Sequence, residues 1–139
     1  MSVTIRPVEV PSVYRVWDRV EPFLKSAEDK YENPEYNVPH IKSMLTSGQW
    51  VLLVFLDDNN EIQGALTLSF VNYPNDRVAF ITAVGGKLLA EEATADQLAD
   101  ICRAYGATTI HGVVNKSIAR LCESKLGFKE RAILVERRL

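Results

Sequence analysis

The sequence predicts a single α/β domain with a mixed central sheet of six to seven strands, flanked by about four helices. Three observations predict this class. Segments with the two-residue alternation of strands occur in turn with segments that have the three-and-four spacing of amphipathic helices. Three strand segments follow one another before helices and strands begin to alternate. The 139 residues contain no linker, repeat or low-complexity tract, so residues 1–139 are expected to form one domain.

The chain is predicted to begin with a strand and two helices. Residues 2–8 alternate as a short strand does. From Ser12 onward an apolar stripe predicts an amphipathic helix, which Pro22 could kink or split. Pro39 suits the first turn of a second helix, and Gly48 ends it.

Three strands are predicted next. Residues 50–56 form an uninterrupted apolar run, typical of a strand that is buried on both faces. Residues 62–71 alternate and follow the turn at 57–60, which predicts an antiparallel hairpin. Residues 78–84 form the third strand of this group and lead directly into Gly85.

Helices and strands then alternate to the C-terminus. Thr94 and Gln97 have the spacing of a capping box, which predicts the start of a helix there. Residues 108–114 read as a strand, and Asn115 is a suitable N-cap for the fourth helix. Residues 128–139 are expected to contain one or two closing strands, including Ala132 to Val135.

Composition excludes several classes of protein. The hydrophobic fraction of 47% and the charged fraction of 24% exclude a disordered chain, and a net charge of −2 argues against a nucleic-acid polycation. Neither a secretory signal nor an apolar run of about 20 residues is present, so we expect a cytoplasmic protein without membrane contact. Cys102 and Cys122 lack metal-ligand spacing and read as buried thiols, with a disulfide or a redox role as alternatives. No metal is expected.

Charge is distributed unevenly along the chain. Residues 21–35 hold two basic and five acidic groups, a net charge of −3, which would attract a cationic amine or simply form a solvated loop. Residues 116–139 hold seven basic and three acidic groups, a net charge of +4. This basic segment could meet phosphates, keep the protein soluble or face a protein partner.

The order of elements resembles the GNAT (GCN5-related N-acetyltransferase) fold along essentially the whole chain. The most specific match resembles that family's fourth-helix motif, with one residue more than its usual spacing: Asn115, Ala119, Leu121, Lys125, Leu126, Gly127 and Phe128. Ile5-Arg6-Pro7 is similar to the family's opening strand.

The resemblance implies that acetyl-CoA, or another acyl-CoA, is the co-substrate. In the family, the fourth and fifth strands splay apart to hold the pantetheine arm, and a glycine-containing loop binds the pyrophosphate at a helix N-terminus. The implied coenzyme-binding residues are Ala83, Val84, Gly85, Gly86, Lys87 and Asn115. The family's Arg/Gln-x-x-Gly-x-Gly/Ala loop is not present in its usual form, and Glu91 and Glu92 follow the glycines. Gly85-Gly86 therefore also reads as a simple turn after a strand.

The catalytic groups of the family are replaced here. No carboxylate lies in residues 78–84, so His111 on the fifth strand is the candidate general base, because imidazole is the side chain suited to proton transfer near neutrality. Glu123 stands where the resemblance implies a tyrosine general acid. The alternatives are a half-buried strand histidine and a solvent-facing helix glutamate.

Two functions remain open. The first is an acyl-CoA-dependent N-acyltransferase acting on a small-molecule amine or a protein amino group. The second is a catalytically inactive GNAT-like module for binding or structural assembly, for example a bacteriophage virion or assembly protein. Nucleic acid is not an expected partner, and the sequence leaves open a homo-oligomer or a protein assembly partner.

Overall fold

The computed structural model describes residues 3–29, 34–86 and 92–139. The elements are β1 (Thr4–Val8), α1 (Val13–Glu28), α2 (Val38–Thr46), β2 (Val51–Leu56), β3 (Ile62–Asn72), β4 (Arg77–Gly86), α3 (Glu92–Ala104), β5 (Thr109–His111) and α4 (Lys116–Lys125). A 3-10 turn (Val10–Ser12) follows β1. The five strands form one sheet in sequential order, and neighbouring strands run antiparallel except β4 and β5, which are parallel.

Helices cover both faces of the sheet. Leu52 and Val54 of β2 pack with α1 and α2, whereas Leu53 and Phe55 point to the opposite face and pack with α3. Because successive side chains of a strand point to opposite faces, a strand covered on both sides needs apolar residues throughout. The burial of β2 confirms the prediction that the apolar run at 50–56 is a strand buried on both faces.

The first helix is not split. α1 runs without a break through Pro22, whose side chain is exposed. A proline inside a helix removes one backbone hydrogen bond. Val20 and Leu24 lie on either side of Pro22 and are fully buried against the sheet, so their packing offsets that loss.

The predicted number of strands is wrong. The described residues form five strands instead of six to seven, and the segment from Ala132 to Val135 is exposed and unpaired. β5 is also shorter than predicted, with residues 109–111 in place of 108–114. Strand propensity reflects packing against neighbouring strands. Neither the end of β5 nor residues 132–135 have such a neighbour within the described ranges.

Thr94 and Gln97 do not form the predicted capping box. Thr94 lies inside α3, and the side chain of Gln97 binds β1 instead. The backbone N–H of Ile5 donates to Gln97 Oε1 at 2.9 Å, and Gln97 Nε2 donates to the carbonyl of Val3 at 2.7 Å. β1 is an edge strand of the sheet. Gln97 therefore satisfies backbone groups at that edge and fixes α3 against it.

Both cysteines are free, which agrees with the interpretation as thiols. Burial raises the pKa of the Cys102 thiol to about 11 and also raises the pKa of Cys122. Since the thiolate is the reactive form, neither group is activated as a nucleophile. Among the helices in the described ranges, none combines the length and the apolar character needed to cross a membrane.

Candidate functional site

β4 and β5 pair over only three residues. The paired residues are Val78 with Thr109, Ala79 with Ile110 and Phe80 with His111. β4 then continues to Gly86 alongside β3, while β5 ends. Within the described ranges, no strand pairs with the other edge of residues 81–86. We call the space between residues 81–86 and residues 112–115 the β4–β5 opening.

A β-bulge lies at the point where the two strands separate. Thr67 of β3 is opposite Ala83, but Leu68 is opposite Ile81, so Thr82 is an extra residue in β4. A bulge bends its strand and increases the local twist. The bulge at Thr82 lies two residues beyond Phe80, which forms the last pair between β4 and β5 with His111.

Two hydroxyls hold this bulge in place. Thr82 Oγ1 donates to the backbone carbonyl of Thr67 at 3.1 Å, and the Oγ1 atoms of Thr67 and Thr82 are 2.6 Å apart. Thr67 is fully buried. A polar residue in the otherwise apolar stretch 65–68 is the sequence signal for this pair, which is not among the predicted site residues.

The narrow end of the opening is fixed by a second polar cluster. Asp76 Oδ1 accepts hydrogen bonds from the hydroxyls of Thr108 and Thr109, both at 3.0 Å. The guanidinium of Arg77 lies 4.6 Å from the ring centroid of Phe70, and its Nε donates to the carbonyl of Tyr105. These contacts join the β3–β4 turn to the start of β5, so the two strands are held together only at one end.

Six of the predicted site residues lie along this opening or at its narrow end, and one of them, Asn115, is described below. Ala83 packs with the α1–α2 side and Val84 with the α3 side, so their side chains leave the strand edge itself free. Gly85 and Gly86 end β4 at the wide mouth. His111 is the last paired residue of β5, at the narrow end. Lys87 lies outside the described residues.

The two glycines have a packing role. A Cβ atom on Gly85 would lie 2.0 Å from the carbonyl oxygen of Phe23 in α1. Gly86 has a φ of +97°, and a Cβ there would lie 2.5 Å from the carbonyl oxygen of Gln63. Both residues are therefore needed for the close approach of α1 and β3 to the end of β4.

Asn115 and Glu123 make hydrogen bonds within the C-terminal part of the chain. Asn115 Oδ1 accepts from the backbone N–H of Ile118 at 2.9 Å, which confirms the predicted N-cap of α4. Glu123 Oε1 accepts from the backbone N–H of Glu130 at 2.9 Å, and its side chain is exposed. The structure thus places Glu123 on an outer face of α4, bound to the segment that follows the helix.

His111 also borders an open hollow of about 440 Å³ beyond the narrow end of the opening. The hollow is lined by the β3–β4 turn at residues 73–76, by Val78 and by Arg131. The residues that line the hollow beside His111 thus include Tyr73, Asp76 and Arg131. Such a hollow can hold a small polar molecule next to His111.

One carboxylate of the acidic segment at residues 21–35 is bound to the start of α2 and to a lysine. Glu28 Oε2 accepts from the backbone N–H of Val38 at 2.9 Å, and Glu28 Oε1 is 3.0 Å from Lys25 Nζ. The bond from Val38, followed by that from Lys25, lowers the pKa of Glu28. Glu28 therefore fixes the start of α2 and is not a free charge. Glu32 lies outside the described residues.

Solved acetyltransferase structures are similar to this chain over almost its full length. One aminoglycoside acetyltransferase from an uncultured soil metagenomic sample is 17% identical, with a TM-score of 0.68, and the match covers 100% of this chain and 99% of that chain. A predicted acetyltransferase from Clostridium acetobutylicum, solved with acetyl-CoA, is 14% identical with a TM-score of 0.63, and the match covers 99% and 96%.

A second aminoglycoside acetyltransferase from an uncultured soil metagenomic sample, solved in complex with sisomicin, is 12% identical with a TM-score of 0.66. That match covers 99% of this chain and 96% of the other. No family model and no curated protein sequence matches the chain. At these identities the likeness shows the fold.

Proposed function

We propose that this chain, which has the GNAT acetyltransferase fold, binds acetyl-CoA or another acyl-CoA in the β4–β5 opening and transfers the acyl group to an amine. The observation that carries the proposal is the free edge of β4 at residues 81–86. An extended chain with amide groups can hydrogen-bond to such an edge as an added strand does. The pantetheine arm has amides of this kind.

The proposed pose runs from the wide mouth to the narrow end. The backbone of Ala83 and Val84 would bind the pantetheine amides, and Asn115, the N-cap of α4, would lie on the other side of the opening. The diphosphate would lie at the mouth, beyond Gly85 and Gly86. The thioester would then reach the bulge at Thr82, close to where β4 and β5 meet.

His111 is the proposed general base. It lies at the narrow end of the opening and also borders the hollow in which we place the acceptor. The imidazole would take a proton from the ammonium, and the amine lone pair would attack the thioester carbonyl carbon. When the tetrahedral intermediate collapses, the carbon–sulfur bond breaks and the nitrogen gives up its second proton, so that an amide forms and the departing thiolate takes up a proton. Glu123 as the proton donor stays a prediction.

An amine acceptor is supported by the chemistry of the hollow and by the fold neighbours. Asp76 brings a carboxylate to the hollow and His111 a proton acceptor. Two neighbours are described as aminoglycoside acetyltransferases, one of them in complex with sisomicin. Aminoglycosides carry several amino groups. We therefore propose a small polar amine as the first acceptor class to test, with a protein amino group as the second.

Coenzyme binding can be tested by thermal shift with acetyl-CoA. A ligand that binds only the native state stabilises it, by about 2.7 kcal/mol at 100 times its Kd. Gly112→Phe should abolish the shift, because a phenyl ring at residue 112 would occupy space at the edge of the opening. The added Cβ itself fits, since it would lie 3.8 Å from Ile81 Cδ1, an ordinary contact. Ser43→Phe, at an exposed site on α2, should keep the shift. An equal shift in both variants would contradict binding in the opening.

Turnover can be followed by the release of the free coenzyme thiol in the presence of a panel of amines. We expect His111→Gln to lower the rate by about 10²-fold or more, because general-base catalysis contributes on that order. The acetyl-CoA shift should persist in this variant. If the rate and its pH profile are unchanged, His111 is not the base.

A second candidate function is an inactive binding or structural module. Two observations favour it: residues 77–86 of β4 include no carboxylate, and packing alone accounts for Gly85 and Gly86. This candidate predicts no thermal shift at millimolar acetyl-CoA. A shift without turnover on any amine would indicate a coenzyme-binding module that does not catalyse transfer.

A further inference from the structure

The side chain of Ile81 borders the narrow end of the β4–β5 opening. Phe80 and His111 form the last pair between the two strands, so Ile81 and Gly112 are the first residues on the two sides of the opening. A Cβ on Gly112 would lie 3.8 Å from Ile81 Cδ1 and 3.9 Å from Ile81 Cβ, which are ordinary contact distances. The space between the Ile81 side chain and the backbone of Gly112 therefore has room for about one methyl group.

Packing holds Ile81 in this position. Its side chain packs on the apolar cluster of the α3 face, which includes the fully buried Leu68 and Ala79. Leu68 is also the residue opposite Ile81 in β3. Isoleucine is branched at Cβ, which restricts its rotamers. Ile81 therefore cannot turn aside to admit a larger group without losing contacts with the cluster.

Thr82, the next residue of β4, is bonded away from the opening. Its Oγ1 donates to the backbone carbonyl of Thr67 and lies 2.6 Å from Thr67 Oγ1. Thr67 belongs to β3, which pairs with the opposite edge of β4. The hydroxyl of Thr82 is thus held against β3, and a group placed at the bulge has Ile81 as its neighbour toward the narrow end.

We propose that Ile81 restricts the acyl group of the coenzyme to acetyl. This inference rests on the proposed function, in which the thioester lies at the bulge and its acyl group points to the narrow end. Successive residues of a strand are only about 3.3 Å apart, so the methyl of an acetyl group beside Thr82 already reaches Ile81. Each further carbon of a longer acyl group overlaps with the Ile81 side chain.

The dissociation constants of acetyl-, propanoyl-, butanoyl- and hexanoyl-CoA test this without an acceptor and without turnover. Isothermal titration calorimetry measures them. In the native protein, butanoyl- and hexanoyl-CoA should bind about tenfold or more weakly than acetyl-CoA, the scale on which apolar pockets discriminate single methylene groups. Ile81→Ala removes more carbon atoms from the side chain than butanoyl adds to acetyl. In this variant butanoyl-CoA should bind at least as tightly as acetyl-CoA, because its methylenes fill the vacated apolar space.

Ile81→Val is a second variant that keeps more of the core packing, since it removes only the Cδ1 methyl. It should bind propanoyl-CoA as tightly as acetyl-CoA and should still exclude hexanoyl-CoA. Ile62→Ala and Ile62→Val are the matched controls. Ile62 is also partly buried, but it packs on the α1–α2 face and pairs with Leu56 of β2. Both control variants should keep the native preference for acetyl-CoA.

The outcomes separate this inference from the proposed function. Equal dissociation constants for acetyl- and hexanoyl-CoA in the native protein would overturn the role of Ile81 and leave coenzyme binding intact. A native preference that persists in both Ile81 variants would overturn it too, because another residue would then set the limit. If no acyl-CoA binds the native protein, the proposed coenzyme site is wrong and the inference about Ile81 is wrong with it.

Discussion

At the scale of single residues, the two glycines at the end of β4 serve packing. The sequence presented Gly85-Gly86 as a phosphate loop or as a turn after a strand. The structure adds a third role, the close approach of Phe23 and Gln63 to the strand. Phe23 is distant in sequence, so no local pattern could have indicated this contact. A charged side chain at Gly86 would disturb the fold before it tested the coenzyme site.

Gly85→Ala should destabilise the protein by about 1–3 kcal/mol, the usual cost of overpacking a core. The added methyl would lie 2.0 Å from the carbonyl oxygen of Phe23, so α1 must move. Urea unfolding measures the loss. Gly112→Ala is the control: its methyl makes only an ordinary contact, 3.8 Å from Ile81, and its effect should stay within about 1 kcal/mol. Equal effects would mean that the approach of α1 is not tight.

Thr82→Val should destabilise the bulge by about 1–3 kcal/mol, because it takes from the buried hydroxyl of Thr67 its partner and from the Thr67 carbonyl one hydrogen bond. Thr67→Val together with Thr82→Val should recover part of this loss, since one of the unsatisfied groups is then removed. A double-mutant cycle in urea measures the coupling. Strictly additive effects would show that the two hydroxyls do not interact.

At the scale of elements, Glu28 joins the end of α1 to the start of α2 across their connection. Its pKa is lowered, first by the hydrogen bond from Val38 and then by Lys25. A carboxyl with a lowered pKa contributes stability above its unfolded pKa, close to the ordinary value of 4.5, and that stability is lost as the pH falls through the folded pKa.

Glu28→Gln should therefore lower stability at neutral pH and flatten the loss of stability below pH 4.5. The urea midpoint, measured from neutral to acid pH, tests both effects. Glu21→Gln, at an exposed site on the same helix, is the control and should keep the acid dependence of the native protein. If Glu28→Gln also keeps it, Glu28 does not stabilise the connection.

The elements that the sequence predicted best are those with a strong local pattern. The alternation of residues 62–71 and the apolar run at 50–56 placed β3 and β2 almost to the residue. Predictions failed where the structure of a segment depends on a partner that is distant in sequence. Gln97 serves the edge of β1, and the segment from Ala132 to Val135 finds no neighbouring strand. Only the assembled sheet shows these contacts or their absence.

Some parts of the candidate site could likewise be predicted from local sequence and others could not. His111 and Asn115 could be chosen from their types and from the predicted strand and helix, and the structure puts them at the narrow end of the opening and at the start of α4. The bulge at Thr82 could not be predicted, because a register shift depends on β3 as well as on β4. That bulge lies beside the opening in which we propose that the coenzyme binds.

At the scale of the whole molecule, the C-terminal residues stand apart from the packed sheet and helices. Two apolar clusters fill the two faces of the sheet, whereas residues 129–139 are all exposed. The stability of the fold is therefore expected to come mainly from the residues that precede this segment.

Removal of residues 132–139 should change the stability of the fold only slightly, because all of these residues are exposed. Changes at exposed positions usually stay within about 0.5 kcal/mol. Urea unfolding of the full and the shortened chain measures the difference. A loss as large as that expected for a buried side chain, about 2 kcal/mol or more, would mean that the C-terminal segment packs on the sheet and helices, and the view that it stands apart from them would be wrong.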